Sequence, residues 1–583
     1  MFLCAALLPA CVVPFLIIKY AVDLPFGDEW ALAEFFQKSA ARELTAADLF
    51  AQQFEYRQFF PNLIIVALGW ATGWDVRYEM LVSFLLACLV SFNLYRLGRI
   101  TLGEGDGRRA LVLFASNLLI FSPAQYENWL MGEQLIYFIP VACVTTCIVI
   151  AYSRLSNGIK FAACMCLATV STFSAANGML CWVVVFPVLA WSKTSKDFVK
   201  WKWPAALWAF GFAVNVALYF YSYRKPPSNP ALTEAVARPA QAVIFFLAFT
   251  GSPLFGDSRY LVIPAALVGL LSIALFIAFG LRAIGAARDF DLSRRMTGWL
   301  MLGAYSLLTA GLVTIGRVGS GVQVSMISRY KTFSVYLLIA LINLTAMAWA
   351  ARAGRVSERR RTNAGRLLAS GVCAFALLHL LASAVALRQV WRMEARLRQA
   401  KTCVLLVNVV GDDCLTEKVY PDAQYFRRAA NFLDSQGFLR PPLVKSRRVE
   451  EFAGTNESGS RSHGVFEELE QNGALYIAFG RALLPGGARP ADGVLLAYKN
   501  GGGDSVAFAL AGMSNEGDIL RTLSERRVDA NWRGSFSAEM LPDGANEITA
   551  WAFDAETGRA YLLEGAHTIQ ATTGREGAAD DHH

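Results

Sequence analysis

The chain has little charge, little histidine and none of the compact signatures of a soluble catalyst. Charged residues are 17% of its 583 positions, against roughly a quarter in an ordinary soluble protein. That excludes a wholly soluble globular chain. Only five histidines occur, and neither an HExxH nor a CxxC pattern is present, which removes the common zinc signatures. A Ser/His/Asp hydrolase set and a phosphate-cradling glycine-rich loop also lack their residues. No repeat period is evident. No basic n-region or clear cleavage site marks the first apolar stretch, so it reads as a span and not a signal peptide. The apolar runs hold almost no ionisable side chains in their interiors, His379 being the main exception. Ion-coupled transporters carry such groups at mid-membrane, so their scarcity argues against that class.

Apolar length is what the chain has. Mean hydropathy is +0.38 and 55% of residues are hydrophobic. A span needs about 20 mostly apolar residues, and about eleven such runs plus two shorter ones precede residue 392. The expected fold is a polytopic α-helical membrane protein of about 11–13 spans with a C-terminal soluble domain. The net charge of +8 sits mainly in short loops and is not a nucleic-acid signal. The basic loops 94–109, 192–204, 282–297 and 352–366 go to the cytoplasm by the positive-inside rule. Loop 124–134, with Glu127 and Glu133 and no basic residue, and the uncharged 174–178 go to the outer face, and alternation sends 317–330 outside too.

Three regions follow: 1–391, a transmembrane domain with an outer loop at 19–60; 392–472, a mixed helical connection; and 473–583, a mostly β, sandwich-like periplasmic domain. Segments 60–73 and 240–256, broken by Gly and Pro, are expected to be partial helices. Residues 29–54 read as short amphipathic helices along the membrane surface, with Thr45 as a cap. Residues 392–402 read as a polar helical exit, and 421–438 as a helix ending at Gly437. Strands are expected around 474–480, 493–498 and 547–553, with turns at Asn500-Gly501 and Asp543-Gly544, and Trp532 and Trp551 belong in their core. Nine of eleven cysteines fall in apparent spans. The other two, Cys403 and Cys414, suit a disulfide if that part is periplasmic.

The chemistry-bearing residues cluster at predicted outer positions. Asp28-Glu29-Trp30 follows the first span. Gln53-Phe54-Glu55-Tyr56-Arg57 and Phe60-Pro61 precede the next, and Glu55 and Arg57 are near enough to pair with each other. Asn128-Trp129-Leu130-Met131-Gly132-Glu133-Gln134, Ser174-Ala175-Ala176-Asn177-Gly178 and Ser328-Arg329-Tyr330 come later. In this order, over roughly residues 1–390, they resemble the type-C glycosyltransferase superfamily. Its members include protein O-mannosyltransferases and aminoarabinose transferases of lipid A. Phe54 and Tyr56 stand where an Asn and a His would be expected.

The resemblance implies an inverting transfer of a sugar from a polyprenyl-phosphate donor to a hydroxyl of a cell-envelope glycan or lipid, such as an O-antigen, on the outer face of a bacterial inner membrane. Asp28, ahead of Glu29, is the expected base, since the acceptor oxygen needs one within hydrogen-bond reach. The leaving lipid phosphate needs a cation, best the planar guanidinium of an arginine. Arg329 is the first choice, with Arg57 and Lys331 behind it and Glu55, Glu133 and Tyr330 as further substrate contacts. No cofactor is called for, and a divalent cation on Asp28 and Glu133 is left open. Two rivals are a flippase or exporter of lipid-linked glycan, and a non-enzymatic, membrane-anchored glycan-binding assembly protein.

Overall fold

A computed structural model describes residues 2–103, 105–190, 202–227, 229–285, 290–352, 358–454, 464–473, 475–485, 489–499, 501, 503–514 and 530–571. The basic loops 192–204, 282–297 and 352–366, and Asn500 of the first expected turn, lie partly or wholly outside the described residues. The chain divides into two units. The first comprises Met1–Ala21, Arg42–Leu68 and Val76–Val390, and the second Val22–Ala41, Gly69–Asp75 and Trp391–His583.

The first unit is helical. Among the described residues of the chain, seven helices are long and apolar enough to cross a membrane: Arg77–Thr101, Gly132–Tyr152, Lys202–Phe220, Arg259–Gly285, Asp291–Ser320, Ser328–Ala351 and Gly365–Leu405. Four shorter apolar helices, Cys4–Tyr20, Phe59–Thr72, Ala176–Leu189 and Pro239–Leu254, accompany them. Phe59–Thr72 and Pro239–Leu254 cover the two segments expected as partial helices. Leu267, Leu271 and Leu380 are 63%, 70% and 66% exposed, a surface that suits lipid better than water. The last apolar helix is part of a 48-residue helix, Glu358–Leu405, roughly 72 Å long at 1.5 Å per residue. The polar exit expected at 392–402 is its continuation.

The second unit joins a helical part to a β-barrel. Asp422 caps the helix Ala423–Ser435 by accepting from Tyr425 N at 2.9 Å, and Gly437 follows at φ +73°, a conformation only glycine takes without strain. Cys403 and Cys414 are disulfide-bonded. A small hairpin in the first unit supplies β1 (Gln52–Gln53) and β2 (Tyr56–Arg57). The barrel strands of the second unit are β3 (Gly464–Asn472), β4 (Leu475–Ala482), β5 (Gly493–Lys499), β6 (Ser505–Met513), β7 (Asn531–Ser537), β8 (Gly544–Asp554) and β9 (Arg559–Ala571). Their order is β3-β4-β7-β6-β5-β8-β9, closed on itself.

This corrects the expected sandwich. Alternating strands and turn signals are common to sandwiches and barrels. What decides between them is the parallel pairing of the first strand with the last, Val465 opposite Glu564, which leaves no free edge. Gly565, at φ +93°, passes so close to Phe466 O that a Cβ there would lie 2.7 Å from it. Trp532 and Phe536 fill the barrel core with Phe466 and Ile548, and Trp551 is also buried.

Part of the expected outer loop 19–60, Val22–Ala41, belongs to the second unit, while its remainder stays with the first. Thr45 caps the helix Ala46–Phe50 by accepting from Asp48 N at 3.2 Å, and short helices form as expected. Trp30, Leu32, Phe35 and Phe36, however, are buried in protein, not laid on a membrane surface. The Trp30 ring lies 4.4 Å from Phe426 and 6.4 Å from Trp74, and Phe36 lies 4.5 Å from Trp74 and 5.2 Å from Phe438. All are in the second unit.

Candidate functional site

In the first unit three short segments bring charge and tyrosine together at the ends of apolar helices: Pro123–Gln134, Gly256–Ser258 and Ser328–Thr332. The 3₁₀ turn Ser328–Tyr330 opens the helix Lys331–Arg352. Its backbone is held on all sides. Asp257 Oδ2 accepts from Ser328 N at 3.0 Å, and Glu127 Oε2 accepts from Arg329 N at 3.2 Å and Ser328 Oγ at 2.9 Å. Asn128 Nδ2 donates to Arg329 O at 2.9 Å and Thr332 Oγ1 at 2.6 Å. Lys331, 1% exposed, pairs with Asp257 Oδ1 at 2.7 Å, so its charge is answered where it is buried.

The Arg329 side chain is a different case. Among the described residues its guanidinium has neither an ion pair within 4.0 Å nor a hydrogen-bonded acceptor. It is half-buried, within electrostatic reach of Tyr137, Glu127, Tyr330 and Glu133. Loop 124–134 is largely buried in protein: Asn128 and Trp129 are fully buried, with Glu127 and Glu133 half-buried.

A second basic group adjoins the first. Arg317 ion-pairs with Glu55 and donates to Asn229 Oδ1 at 2.7 Å, and it interacts with the hydroxyls of Tyr56 and Tyr330. Part of Tyr56 remains accessible. Its hydroxyl lies deep, and burial, then Tyr137 and Glu55, hold it well above the usual tyrosine range against the opposing charge of Arg317. Burial likewise raises the Tyr126 hydroxyl, with Asp257 next, and Tyr126 donates to Asp257 Oδ2 at 3.1 Å. Both tyrosines are hydrogen-bond donors at neutral pH.

Of the residues singled out from sequence, Glu55, Glu133, Arg329 and Tyr330 come together here. Arg57 is nearby, but each of its side-chain nitrogens is held by a carbonyl. Its Nε donates to Tyr219 O at 2.7 Å and Nη1 to Phe50 O at 2.9 Å, with Nη2 on Tyr221 O. It clamps backbone and does not pair with Glu55. Asp28 and Glu29 are in the second unit, on the 3₁₀ turn Gly27–Leu32. Glu29, 1% exposed, accepts from Phe26 N at 3.2 Å and caps that turn. Asp28 is exposed and electrostatically close to Tyr420. Sequence reasoning missed Asp257, Arg317 and Tyr137, and named Tyr56 without giving it a role. Among the described residues no group of three or more His, Cys, Asp or Glu could hold a metal. Comparison with family models, curated proteins and solved structures finds no match.

Proposed function

We propose that the chain is a membrane-embedded glycosyltransferase of the type-C kind. It would move a sugar from a polyprenyl-phosphate donor to a hydroxyl of a cell-envelope glycan or lipid. The observation that carries this reading is Arg329, a guanidinium with a fixed backbone and no ion pair among the described residues, at the end of an apolar helix. An unspent cation on a held backbone, with Tyr137 and Tyr330 within electrostatic reach, suits the phosphate of a lipid whose tail lies in the membrane.

In the reaction, the acceptor oxygen attacks the anomeric carbon as the bond from that carbon to the phosphate oxygen breaks. The acceptor proton goes to a carboxylate, and polyprenyl phosphate leaves with its extra charge against Arg329. Glu133, half-buried and near Arg329, is the candidate base in the unit that holds Arg329. Asp28, the base expected from sequence, belongs to the second unit. Glu29 is set aside because its carboxylate caps a turn.

The test is turnover by the full chain in lipid vesicles, with a polyprenyl-phosphate hexose carrying labelled sugar and a mixed envelope-glycan acceptor. Wild type should move label from lipid to acceptor. Arg329→Gln should be slower by roughly 100-fold or more, the usual loss when one charge-stabilising contact is removed. Whichever of Asp28→Asn and Glu133→Gln shows the larger loss locates the base. Label that crosses the bilayer still on its lipid would replace this reading with a carrier. Equal turnover by wild type and Arg329→Gln would end it.

A further inference from the structure

The turn that carries Arg329 is held in part by Asp257. That carboxylate neutralises Lys331 at 2.7 Å, accepts from Ser328 N at 3.0 Å and accepts from Tyr126 OH at 3.1 Å. It thus joins the loop after Ser252–Leu254 to both the Tyr126–Leu130 turn and the start of the Lys331–Arg352 helix.

Without it, a lysine 1% exposed would hold an uncompensated charge, which a protein relieves by moving the group or losing its proton. Glu127 and Glu133 are the nearby carboxylates, and both are within electrostatic reach of Arg329. A displaced Lys331 would redistribute the charge around the turn that carries Arg329. The Ser328 amide would also lose its acceptor, freeing the turn that aims Arg329.

We infer that Asp257 is a positioning residue for lipid-phosphate recognition: by cancelling Lys331 and fixing the Ser328 amide, it holds the turn that presents Arg329 to the phosphate. This rests on the reading of Arg329 given above. The inference has a counter-intuitive sign. Asp257 is an anion near an anion site, so charge alone predicts tighter phosphate binding when it is neutralised. Positioning predicts weaker binding, and weaker binding also when the charge is kept but moved.

The experiment measures the affinity of the full chain in detergent for farnesyl phosphate, a short soluble polyprenyl monophosphate, by calorimetry. Wild type, Asp257→Asn and Asp257→Glu are each compared with and without Arg329→Gln. Expected is a roughly tenfold loss for both Asp257 variants when Arg329 is present, the size of a coupling carried by contacting residues, and less than about twofold when it is absent. Equal losses in both backgrounds would make Asp257 a general fold residue and overturn the inference. Tighter binding by Asp257→Asn would overturn it too. Should Asp257→Asn fail to fold, Asp257→Glu and Tyr126→Phe, which removes one hydrogen bond and no charge, carry the same comparison. If farnesyl phosphate binds wild type and Arg329→Gln equally, the phosphate role of Arg329 itself has failed, and the Asp257 inference with it.

Discussion

Gly27–Leu32 and Ser328–Tyr330 are both 3₁₀ turns that carry charge beside an aromatic residue, and they use it in opposite ways. In the first, the buried Glu29 carboxylate is turned back on the Phe26 amide, and Trp30 is 0% exposed. In the second, other side chains supply the caps and Arg329 keeps its guanidinium unspent. Arg57 sharpens the contrast, because each of its three side-chain nitrogens donates to a carbonyl. A charge near an apolar helix is thus not by itself a site. What distinguishes a site is a charged group whose surroundings have been satisfied without it.

That contrast can be broken most forcefully at Trp30. If Gly27–Leu32 is structural, Trp30→Ala should cost the second unit about 3–5 kcal/mol, as for other buried large-to-small changes. A denaturation midpoint matching wild type would show that its burial is not supporting that unit. The disulfide comes next. Cys403 and Cys414 are 11 residues apart, and closing so short a loop is worth about 3 kcal/mol. Cys414→Ala should lower the unfolding free energy by that much, and reduced wild type should match it.

Asp492 supplies a pH test in the barrel. It accepts from Arg489 at 3.2 Å and Ala555 N at 2.9 Å, yet burial, ahead of the opposing pull of Arg489 and Arg398, pushes its carboxyl up to about 6 from 3.8. The folded state therefore holds this proton more tightly than the unfolded chain. Its contribution is fully present below about pH 4 and is lost as pH rises through about 6, a change of about 2–3 kcal/mol. The second unit should lose stability over that window, and Asp492→Asn should flatten the slope. An unchanged slope in the variant would contradict it. The smallest effect is expected at Glu29→Gln, about 1 kcal/mol for a weakened cap, with no loss of sugar transfer beyond that explained by stability.

Much of the architecture was legible because it is written locally. Apolar length marks the helices, Thr45 and Gly437 mark helix ends, and Trp532 and Trp551 announce a β core. Barrel closure was not legible, since the pairing of Val465 with Glu564 joins strands at opposite ends of the domain. Nor was the place of residues 22–41, because an apolar helix face reads the same whether it meets lipid or Phe426 and Phe438. In the candidate site, Glu133, Arg329 and Tyr330 stood out as charged or aromatic residues at predicted outer positions. Asp257 did not, because it is one acid in a Gly-Asp-Ser loop and its lysine lies 74 residues further on. Arg317 looked like any basic residue at a helix end until its partners Glu55 and Asn229 arrived from distant segments.

The central claim is that Arg329 serves sugar transfer while the charge at Gly27–Leu32 serves structure, Asp28 excepted. It is tested most directly by complementing the envelope-glycan defect of a deletion strain at matched expression with wild type, Arg329→Gln and Glu29→Gln. The account predicts that wild type and Glu29→Gln restore the glycan, while Arg329→Gln does not and accumulates lipid-linked sugar. Full restoration by Arg329→Gln would contradict it.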